Sequence, residues 1–345
     1  MIEQHINKME SQPCKYDFYN ILEPRLTSPS NDLLNTIRRT KKGVAGENDV
    51  ISIFTKYGRK HWMYFSNLWL NRNGRIEVDL LVVTNTSYYV FEIKNYDDYF
   101  SYDHGVCQLG DLILDEDCIS QTRRTYSKFK NLCRQENIFT DVHGAIIFIG
   151  ENCQVKIGSQ IDSIKVISRN QLRDYIKEMM LDEKNNFQNN NQSSQLNSML
   201  NNNIISDPFL PDSLVASNSI KLKYGIHCAN CNNFDLYFHK QYVECKCGLF
   251  EPREEAMVRS ICEYGVLNYD QNLVKMKLLE FIDYQCSYNY LDSILNKHFE
   301  PIQSAGPIEH VNPINSYKKI YNHFNFNLLK KHYIKTEDYL FYISN

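Results

Sequence analysis

The first half of the chain alternates between helix-like and strand-like hydrophobic patterns. Apolar residues recur at helical spacing from residue 32 to about 57, which predicts one helix, or two if Gly43 and Gly46 interrupt it. Three runs rich in aromatic and β-branched residues follow, at 61–70, 75–84 and 88–96. Short turn segments separate these runs, so we expect neighbouring antiparallel strands.

The pattern then changes to shorter strands and two more helices. Short strands are predicted between 99 and 114, and an amphipathic helix at 119–136. Buried-strand runs at 145–149 and 164–167 lead into a helix at 170–180. Helices alternating with strands in this order predict a mixed α/β domain.

A polar segment separates this domain from the second half. Residues 185–203 read NNFQNNNQSSQLNSMLNNN, a composition that predicts a linker or a long exposed loop because it offers little apolar surface to bury. Beyond it, a hairpin is predicted over 234–244 and helices over 253–264, 272–283 and 287–299. The last two helices fit either a helix-turn-helix or a simple packed pair.

Length and charge limit the classes of protein that fit. The 345 residues suffice for about two domains, and 38 Lys and Arg against 41 Asp and Glu give a net charge of −3. Phosphate binding must therefore rest on local basic clusters. The sequence shows neither a signal peptide nor a membrane span, and an odd number of cysteines, eleven, fits a reducing interior. We expect a cytoplasmic protein with no membrane partner.

Charged residues stand out inside the second and third strand-like runs. Residues two apart share a strand face, so Glu77 and Asp79 lie on one face of the second strand, and Glu92 and Lys94 on one face of the third. Carboxylates in apolar strands are costly unless they are paired or bind a cation. Two converging carboxylates suit a hard divalent cation, and a nearby lysine can orient the attacking water and help to deprotonate it. The alternative is a solvated face with cross-strand ion pairs.

These residues carry a family resemblance. Asp79 and Glu92-Ile93-Lys94, preceded by Gly46-Glu47 on a helix and followed by a helix that bears Gln121, resemble the nuclease-related domain (NERD) of the PD-(D/E)XK nuclease superfamily. The resemblance covers about residues 42–150, and the predicted order of elements agrees with the superfamily core. It implies a restriction-endonuclease-like fold, with a mixed sheet flanked by helices. The implied activity is hydrolysis of phosphodiester bonds with Mg²⁺ or Mn²⁺.

The resemblance also implies a role for each matching residue. Asp79 and Glu92 would be metal ligands, Lys94 would position the water, Glu47 would be an acidic helper, and Gln121 would position the substrate. The chain departs from the family at Glu77, where a neutral amide is common. It departs again at Tyr126, which follows Gln121 at a spacing of five residues where related nucleases tend to have four.

Basic residues cluster on the predicted helix that carries Gln121. Four of them are candidates for contacts with nucleic-acid backbone phosphates: Arg123, Arg124, Lys128 and Lys130. A second group, Arg38, Arg39, Lys41 and Lys42, lies on the first helix. The alternative in both places is an ordinary solvated helix face.

Four cysteines of the second half form two pairs. Cys228 and Cys231, then Cys245 and Cys247, have a spacing that suits one structural Zn²⁺ and resembles a zinc ribbon. The second pair is one residue shorter than usual, so other side chains are alternative fourth ligands: His227, His239 and Cys262. A redox pair, or four unrelated buried cysteines, are the competing interpretations.

The chain therefore divides into six predicted parts: a helical extension (1–41), the nuclease-like domain (42–182), an Asn-rich linker (183–219), the ribbon (220–252), a helical region (253–300) and an unassigned tail (301–345). We expect a metal-dependent nuclease, acting on DNA rather than RNA by family resemblance, in DNA processing or in defence against foreign DNA. One alternative is a catalytically inactive nucleic-acid-binding regulator. The other is a protein-interaction adaptor, with the carboxy-terminal region binding a partner or a second copy.

Overall fold

The structure is a computed structural model. It describes residues 14–72, 74–185, 192–205, 208, 211, 220–269, 271–299, 301–302 and 309–310. The described residues form two compact units, the first built from those between 39 and 205, and the second from residues 14–38 and the described residues from 208 onward. Each unit has its own hydrophobic core. The predicted tail beyond residue 310 lies outside the described residues, as do residues 1–13 of the predicted extension.

The elements are named here in chain order. The helices are α1 (Lys15–Leu22), α2 (Asn31–Tyr57), α3 (Cys118–Gln135), α4 (Leu172–Asn185), α5 (Gln192–Asn203), α6 (Arg253–Leu267), α7 (Lys275–Phe281) and α8 (Tyr288–His298), with a 3₁₀ turn at Glu23–Arg25. The strands of the first unit are β1 (Met63–Asn71), β2 (Arg75–Val83), β3 (Ser87–Lys94), β4 (Phe100–Asp103), β5 (Val106–Leu109), β6 (Leu112–Ile113), β7 (Asp141–Phe148), β8 (Val155–Ile157) and β9 (Ile164–Ser168). Those of the second unit are β10 (Leu236–Phe238), β11 (Tyr242–Cys245), β12 (Phe250–Pro252), β13 (Pro301–Ile302) and β14 (Glu309–His310).

The main sheet of the first unit has the order β1-β2-β3-β7-β9. Strands β1, β2 and β3 are antiparallel neighbours, whereas β3, β7 and β9 run parallel. One face packs against α2 and α4 and the other against α3 and α5. Central strand β3 is therefore buried on both faces, and only its last residue, Lys94, is partly exposed. The prediction of a mixed α/β fold is confirmed.

A second sheet, β6-β5-β4-β8, is formed by segments that lie between strands of the main sheet in the chain. Phe100 of β4 and Cys107 of β5 pack with Cys118 and Ile119 at the start of α3 and with Phe148 of β7. Asp117 caps α3 by accepting the backbone N–H groups of Ile119 and Ser120, which satisfies donors that a helix start leaves unpaired. This packing fixes the start of α3 beside the carboxyl end of β3.

Helix α2 is uninterrupted, so the alternative of two helices is wrong. Its residues 31–38 belong to the second unit and residues 39–57 to the first, and the predicted boundary at residue 41 therefore falls inside a helix. The first described part of the chain packs with the second unit, because Phe18 and Leu22 of α1 share the core of α6.

The Asn-rich segment is not a continuous exposed loop. Its second part forms α5, and Leu196, Met199 and Leu200 are buried against the main sheet. These three apolar residues are spaced by three and one, which places them on one face of a helix. The surrounding asparagines obscured that stripe, so the prediction of a linker was wrong for residues 192–203. Residues 186–191 of the segment lie outside the described residues.

The second unit is built around α6, which is buried at every position from Ala256 to Leu267. Helices α1, α7 and α8 share its core, and Val243 of the three-stranded sheet β10-β11-β12 joins them. Ser287 caps α8 by accepting the N–H of Tyr290. Each of the three predicted helices of this region is confirmed in type and place, with shifted ends.

Candidate functional site

The carboxylates of the candidate site lie where the pairing of β2 with β3 ends. Leu80 pairs with Phe91, and one residue further the Asp79 carboxylate accepts the backbone N–H of Ile93 at 2.7 Å. The side chain thus takes the place of a strand partner for that N–H group. Val78, Leu80, Phe91 and Ile93 are buried, as the alternation along both strands predicted. Asp79 and Glu92 are therefore held by rigid strands.

Glu92 is 4% exposed, on the strand at the centre of the sheet. The Lys94 ammonium group donates to its Oε1 at 2.8 Å, and Lys94 itself keeps 20% exposure of its side chain. Burial lowers the pKa of Lys94, but the carboxylates of Glu92 and Asp79 outweigh burial and raise it above its usual value. Lys94 therefore stays protonated and donates hydrogen bonds in this arrangement. The depth of Glu92 excludes a solvated sheet face.

Helix α2 brings a third carboxylate, Glu47, to the same place. The Asn95 side chain, directly after Lys94, donates to the carbonyl oxygen of Lys42 at 2.8 Å. At Gly46 an added Cβ would lie 2.7 Å from the Cβ of Asn95 and 3.0 Å from Cγ2 of Ile149. Only glycine allows the helix to approach β3 this closely. The sequence pattern marked Gly46 as a weak point of the helix and missed this packing role.

The three carboxylates act on one another electrostatically. Burial, followed by the negative charges of Glu92 and Glu47, raises the pKa of Asp79 well above its usual value, while Lys94 and the Ile93 N–H oppose the shift. Glu92 is buried, whereas Asp79 and Glu47 are half-buried, and carboxylates that repel each other at this depth suit a hard divalent cation, which relieves the repulsion. Glu77, the predicted extra charge on this strand, is exposed, and it does not figure among the causes of the Asp79 shift.

Gln121 lies one turn after Cys118, the first residue of α3. Lys94 lowers the pKa of the Cys118 thiol against a larger increase caused by burial, so the start of α3 lies within electrostatic range of the site. The structure places Gln121 close to this region and shows no contact between its side chain and the three carboxylates. A part for Gln121 in positioning the substrate stays a prediction.

The four predicted phosphate-binding residues are distributed differently on α3. Arg124 is exposed, and Lys128 is exposed with its ammonium group donating to the Arg75 carbonyl at 2.9 Å. Lys130 is half-buried and donates to the Tyr126 hydroxyl at 3.0 Å, and Arg123 is half-buried. Arg124 and Lys128, spaced i and i+4, thus share the solvent face of the helix.

The four cysteines of the second unit converge. The Sγ atoms of Cys228, Cys231, Cys245 and Cys247 all lie within 4.8 Å of one another, and the cross pairs Cys228–Cys247 and Cys231–Cys245 are 3.5 Å apart. Zn–S bonds of about 2.3 Å place tetrahedral sulfurs about 3.8 Å apart, so this arrangement fits a small zinc ribbon. Within the described residues, no other set of three or more His, Cys, Asp or Glu side chains brings its ligand atoms together this closely.

The alternative fourth ligands are engaged elsewhere. His227 contacts Glu263 through Nε2 at 3.1 Å, His239 contacts Glu244 at 2.9 Å, and Cys262 is buried in the core of α6. Burial opposes thiolate formation at Cys247, yet the backbone N–H of Leu249 and neighbouring thiols lower its pKa to about 7. A lowered thiol pKa favours the thiolate form that binds metals. Burial raises the pKa of Cys245, so the geometry carries the assignment: both sulfurs of the shortened Cys-x-Cys pair lie in the four-cysteine cluster.

A buried ionic cluster beside the cysteines was not foreseen. Glu263 accepts from Arg25 at 2.8 Å and from Arg259 at 2.9 Å, and Arg259 also binds Glu251 at 2.8 Å and the His227 carbonyl at 2.7 Å. All five side chains are less than a tenth exposed. Arg259 and Glu263 are an i,i+4 pair on α6, but Arg25 and His227 are far from Glu263 in the sequence, so no local pattern could reveal the whole cluster. The cluster ties the ribbon, α6 and the segment after α1 together.

Comparison with protein families finds one similarity, which lies within the first unit. Residues 42–149 match the nuclease-related domain family. This segment of the chain contains the residues of the observed cluster, Glu47, Asp79, Glu92 and Lys94, and it also contains Gln121. Comparisons with curated proteins and with solved structures give no significant match.

The NERD segment ends before the cysteine cluster, so the ribbon and α6–α8 are additions to the nuclease-related domain in this chain. A search of the described residues for a helix long and apolar enough to cross a membrane finds none. A segment similar to the nuclease-related domain, followed by four convergent cysteines, is thus the arrangement on which a proposal for function rests.

Proposed function

We propose that the chain is a divalent-metal-dependent nuclease that hydrolyses phosphodiester bonds, with DNA as substrate. The observation that carries the proposal is the group formed by buried Glu92 and half-buried Asp79, with Lys94 donating to Glu92 and Glu47 within electrostatic range, inside the segment that matches the nuclease-related domain. Carboxylates held together at this depth lower stability, so their presence is best explained by chemistry.

Each residue has a proposed part in the reaction. Asp79 and Glu92 hold the cation, for which Mg²⁺ or Mn²⁺ suits carboxylate oxygens, and Glu47 adds a further negative charge. When bound, such a cation polarises the phosphodiester and stabilises the charge that develops on it. Lys94 orients the attacking water, a role that agrees with its protonated, hydrogen-bonding state. Gln121 and the exposed face of α3 at Arg124 and Lys128 contact the substrate.

The four cysteines have a structural part in this proposal. Their sulfurs hold one Zn²⁺, which folds a three-stranded module that has few buried residues of its own. We further propose that the protein acts in the cytoplasm, in the processing of DNA or in defence against foreign DNA.

The test is a cleavage assay with linear, circular and single-stranded DNA, with Mg²⁺ or Mn²⁺ added. Asp79→Asn is the sharpest variant, because an amide oxygen still accepts the Ile93 N–H while the charge is removed. We expect a loss of activity of at least about a hundredfold, as for removal of a group that stabilises the transition state, for Asp79→Asn and for Lys94→Ala. Asp174→Asn, at an exposed carboxylate of α4, is the matched control and should keep full activity.

The outcomes separate the proposal from its alternatives. Equal activity of wild type, Asp79→Asn and Lys94→Ala contradicts the enzyme proposal. Absence of cleavage together with DNA binding that survives both substitutions supports a catalytically inactive regulator. Absence of both supports an adaptor whose carboxy-terminal region binds a protein partner or a second copy.

A further inference from the structure

The ribbon sheet has one buried face and one aromatic face. Across the three strands, Tyr237 pairs with Glu244, and Glu244 pairs with Phe250, so these side chains form one row on the same face. Tyr242 lies on this face because it is two residues before Glu244. The opposite face, with Val243 and Cys245, is buried.

The rings on the outer face are exposed. Tyr237 is 53%, Tyr242 38% and Phe250 51% exposed. The rings of Tyr242 and Phe250 lie 5.6 Å apart, and His239 stacks on Tyr242 at 4.3 Å with an interplanar angle of 22°. We call Tyr237, His239, Tyr242 and Phe250 the aromatic face. His239, Tyr242 and Phe250 are in ring contact, and Tyr237 lies in the same row beyond Glu244. Exposed rings gathered on one face of a small sheet indicate a binding surface.

The charges around this face favour phosphate. Asp235 is paired with Lys246, and Glu251 is buried against Arg259. Glu244 contacts His239, which neutralises this carboxylate only when the imidazole is protonated. The other charged side chains of the described ribbon are three exposed lysines, Lys221, Lys223 and Lys240. Exposed lysines therefore outnumber the acids that have no lysine or arginine partner, three against Glu244 alone, apart from the formal −2 of a zinc tetrathiolate.

We infer that the aromatic face of the ribbon binds single-stranded nucleic acid, with bases stacked on Tyr237, Tyr242 and Phe250 and the lysines contacting phosphates. Flat rings accept any base, and duplex bases are not available for stacking on them. This inference deepens the proposed function by giving the substrate a single-stranded part, and it rests on that function for the choice of nucleic acid as the occupant.

On this surface, base stacking should contribute more to the binding affinity than contacts between lysines and phosphates. Three lysines can neutralise about three phosphates, so log Kobs should fall by only about 2 for each tenfold rise in salt. Most of the affinity must then come from the rings, and loss of one ring should weaken binding at least about fivefold. The tetrathiolate charge keeps the affinity modest.

The experiment measures binding of the full-length, zinc-loaded protein to a fluorescent oligothymidylate of about a dozen nucleotides, a length within the range of known sites. It is done without added Mg²⁺ or Mn²⁺ and without chelator, and a duplex of equal length is the comparison. Tyr242→Leu and Phe250→Leu keep an apolar side chain and remove the flat ring. Both should bind the single strand at least about fivefold more weakly, whereas Tyr242→Phe should bind as wild type does.

Tyr288→Leu is the matched control, because Tyr288 is 50% exposed on α8 of the same unit and lies outside the ribbon sheet. It should leave binding unchanged. Zinc content near one ion per chain shows that each variant is folded. Equal affinity for single strand and duplex, or unchanged binding by both leucine variants, would overturn the inference.

The two proposals fail separately. If the protein cleaves DNA and its ring variants bind the single strand as wild type does, the nuclease proposal stands and the aromatic-face inference is wrong. If the protein does not cleave DNA but binds the single strand through Tyr242 and Phe250, the nuclease proposal is wrong and the aromatic-face inference stands.

Discussion

Replacement of Glu263 by glutamine tests the buried ionic cluster of the second unit. The Glu263 carboxylate accepts from Arg25 and Arg259 and contacts His227, and its side chain is 4% exposed. Burial raises the pKa of Glu263, but the charges of His227 and Arg259 outweigh it and hold the pKa well below its usual value. Glu263→Gln keeps the size of the side chain and leaves Arg25 without its carboxylate.

The expected loss follows from that burial. Removal of one partner from a buried charge pair costs about 3–5 kcal/mol, because the other charge stays buried without compensation. With a urea dependence of about 2 kcal/mol per M, the midpoint of unfolding should fall by about 1.5–2.5 M. The matched control is Glu254→Gln on the same helix. Its carboxylate is 35% exposed and binds Lys297 and His298, so a change below about 1 kcal/mol is expected.

The two units can be followed separately in this assay. The two tryptophans of the chain, Trp62 and Trp69, both lie in the first unit, so tryptophan fluorescence reports on its unfolding. Release of zinc to a chromogenic chelator reports on the second unit. Glu263→Gln should shift the zinc-release transition by the amount above. A shift below about 0.5 M, or an equal shift in Glu254→Gln, refutes the assignment of the cluster as a main stabilising contact.

Three further predictions concern the other parts of the chain. In urea unfolding, Gly46→Ala should destabilise the protein by about 1–3 kcal/mol through overpacking, and it should impair any cleavage. Gly43→Ala is the control, because nothing lies within 4 Å of the added Cβ, and it should stabilise the protein by up to about 1 kcal/mol. Glu183 has a lowered pKa because donors that include the Asn85 N–H and His61 outweigh its burial. The contribution of Glu183 to the free energy of unfolding should be complete above about pH 4.5, and it should be lost as the pH falls through the lowered pKa of the folded state. In Glu183→Gln the stability of the first unit, followed by the fluorescence of Trp62 and Trp69, should depend less on pH over this range. A strong chelator should remove about one zinc per chain and unfold the ribbon, and a zinc content well below one in protein never exposed to chelator contradicts the assignment.

The local pattern of apolar and polar residues was sufficient to predict most of the helices and strands of the first unit. Alternation of apolar and charged residues identified β2 and β3, and it placed Asp79, Glu92 and Lys94 on strands that turn residues make neighbours. Strand period and short turns are local properties, so they can be read without a partner. The spacing of four cysteines likewise predicted their convergence.

Other features depended on contacts between distant parts of the chain. The pairing of Arg25 with Glu263 and the burial of α5 follow from packing partners that lie far away in the sequence. The requirement for glycine at position 46 follows from a neighbour on another element, Asn95. The sequence by itself thus determined which side chains could do chemistry and on which elements they lie. Only the tertiary structure decided which of them are buried together, because burial and charge compensation depend on residues that no local period connects.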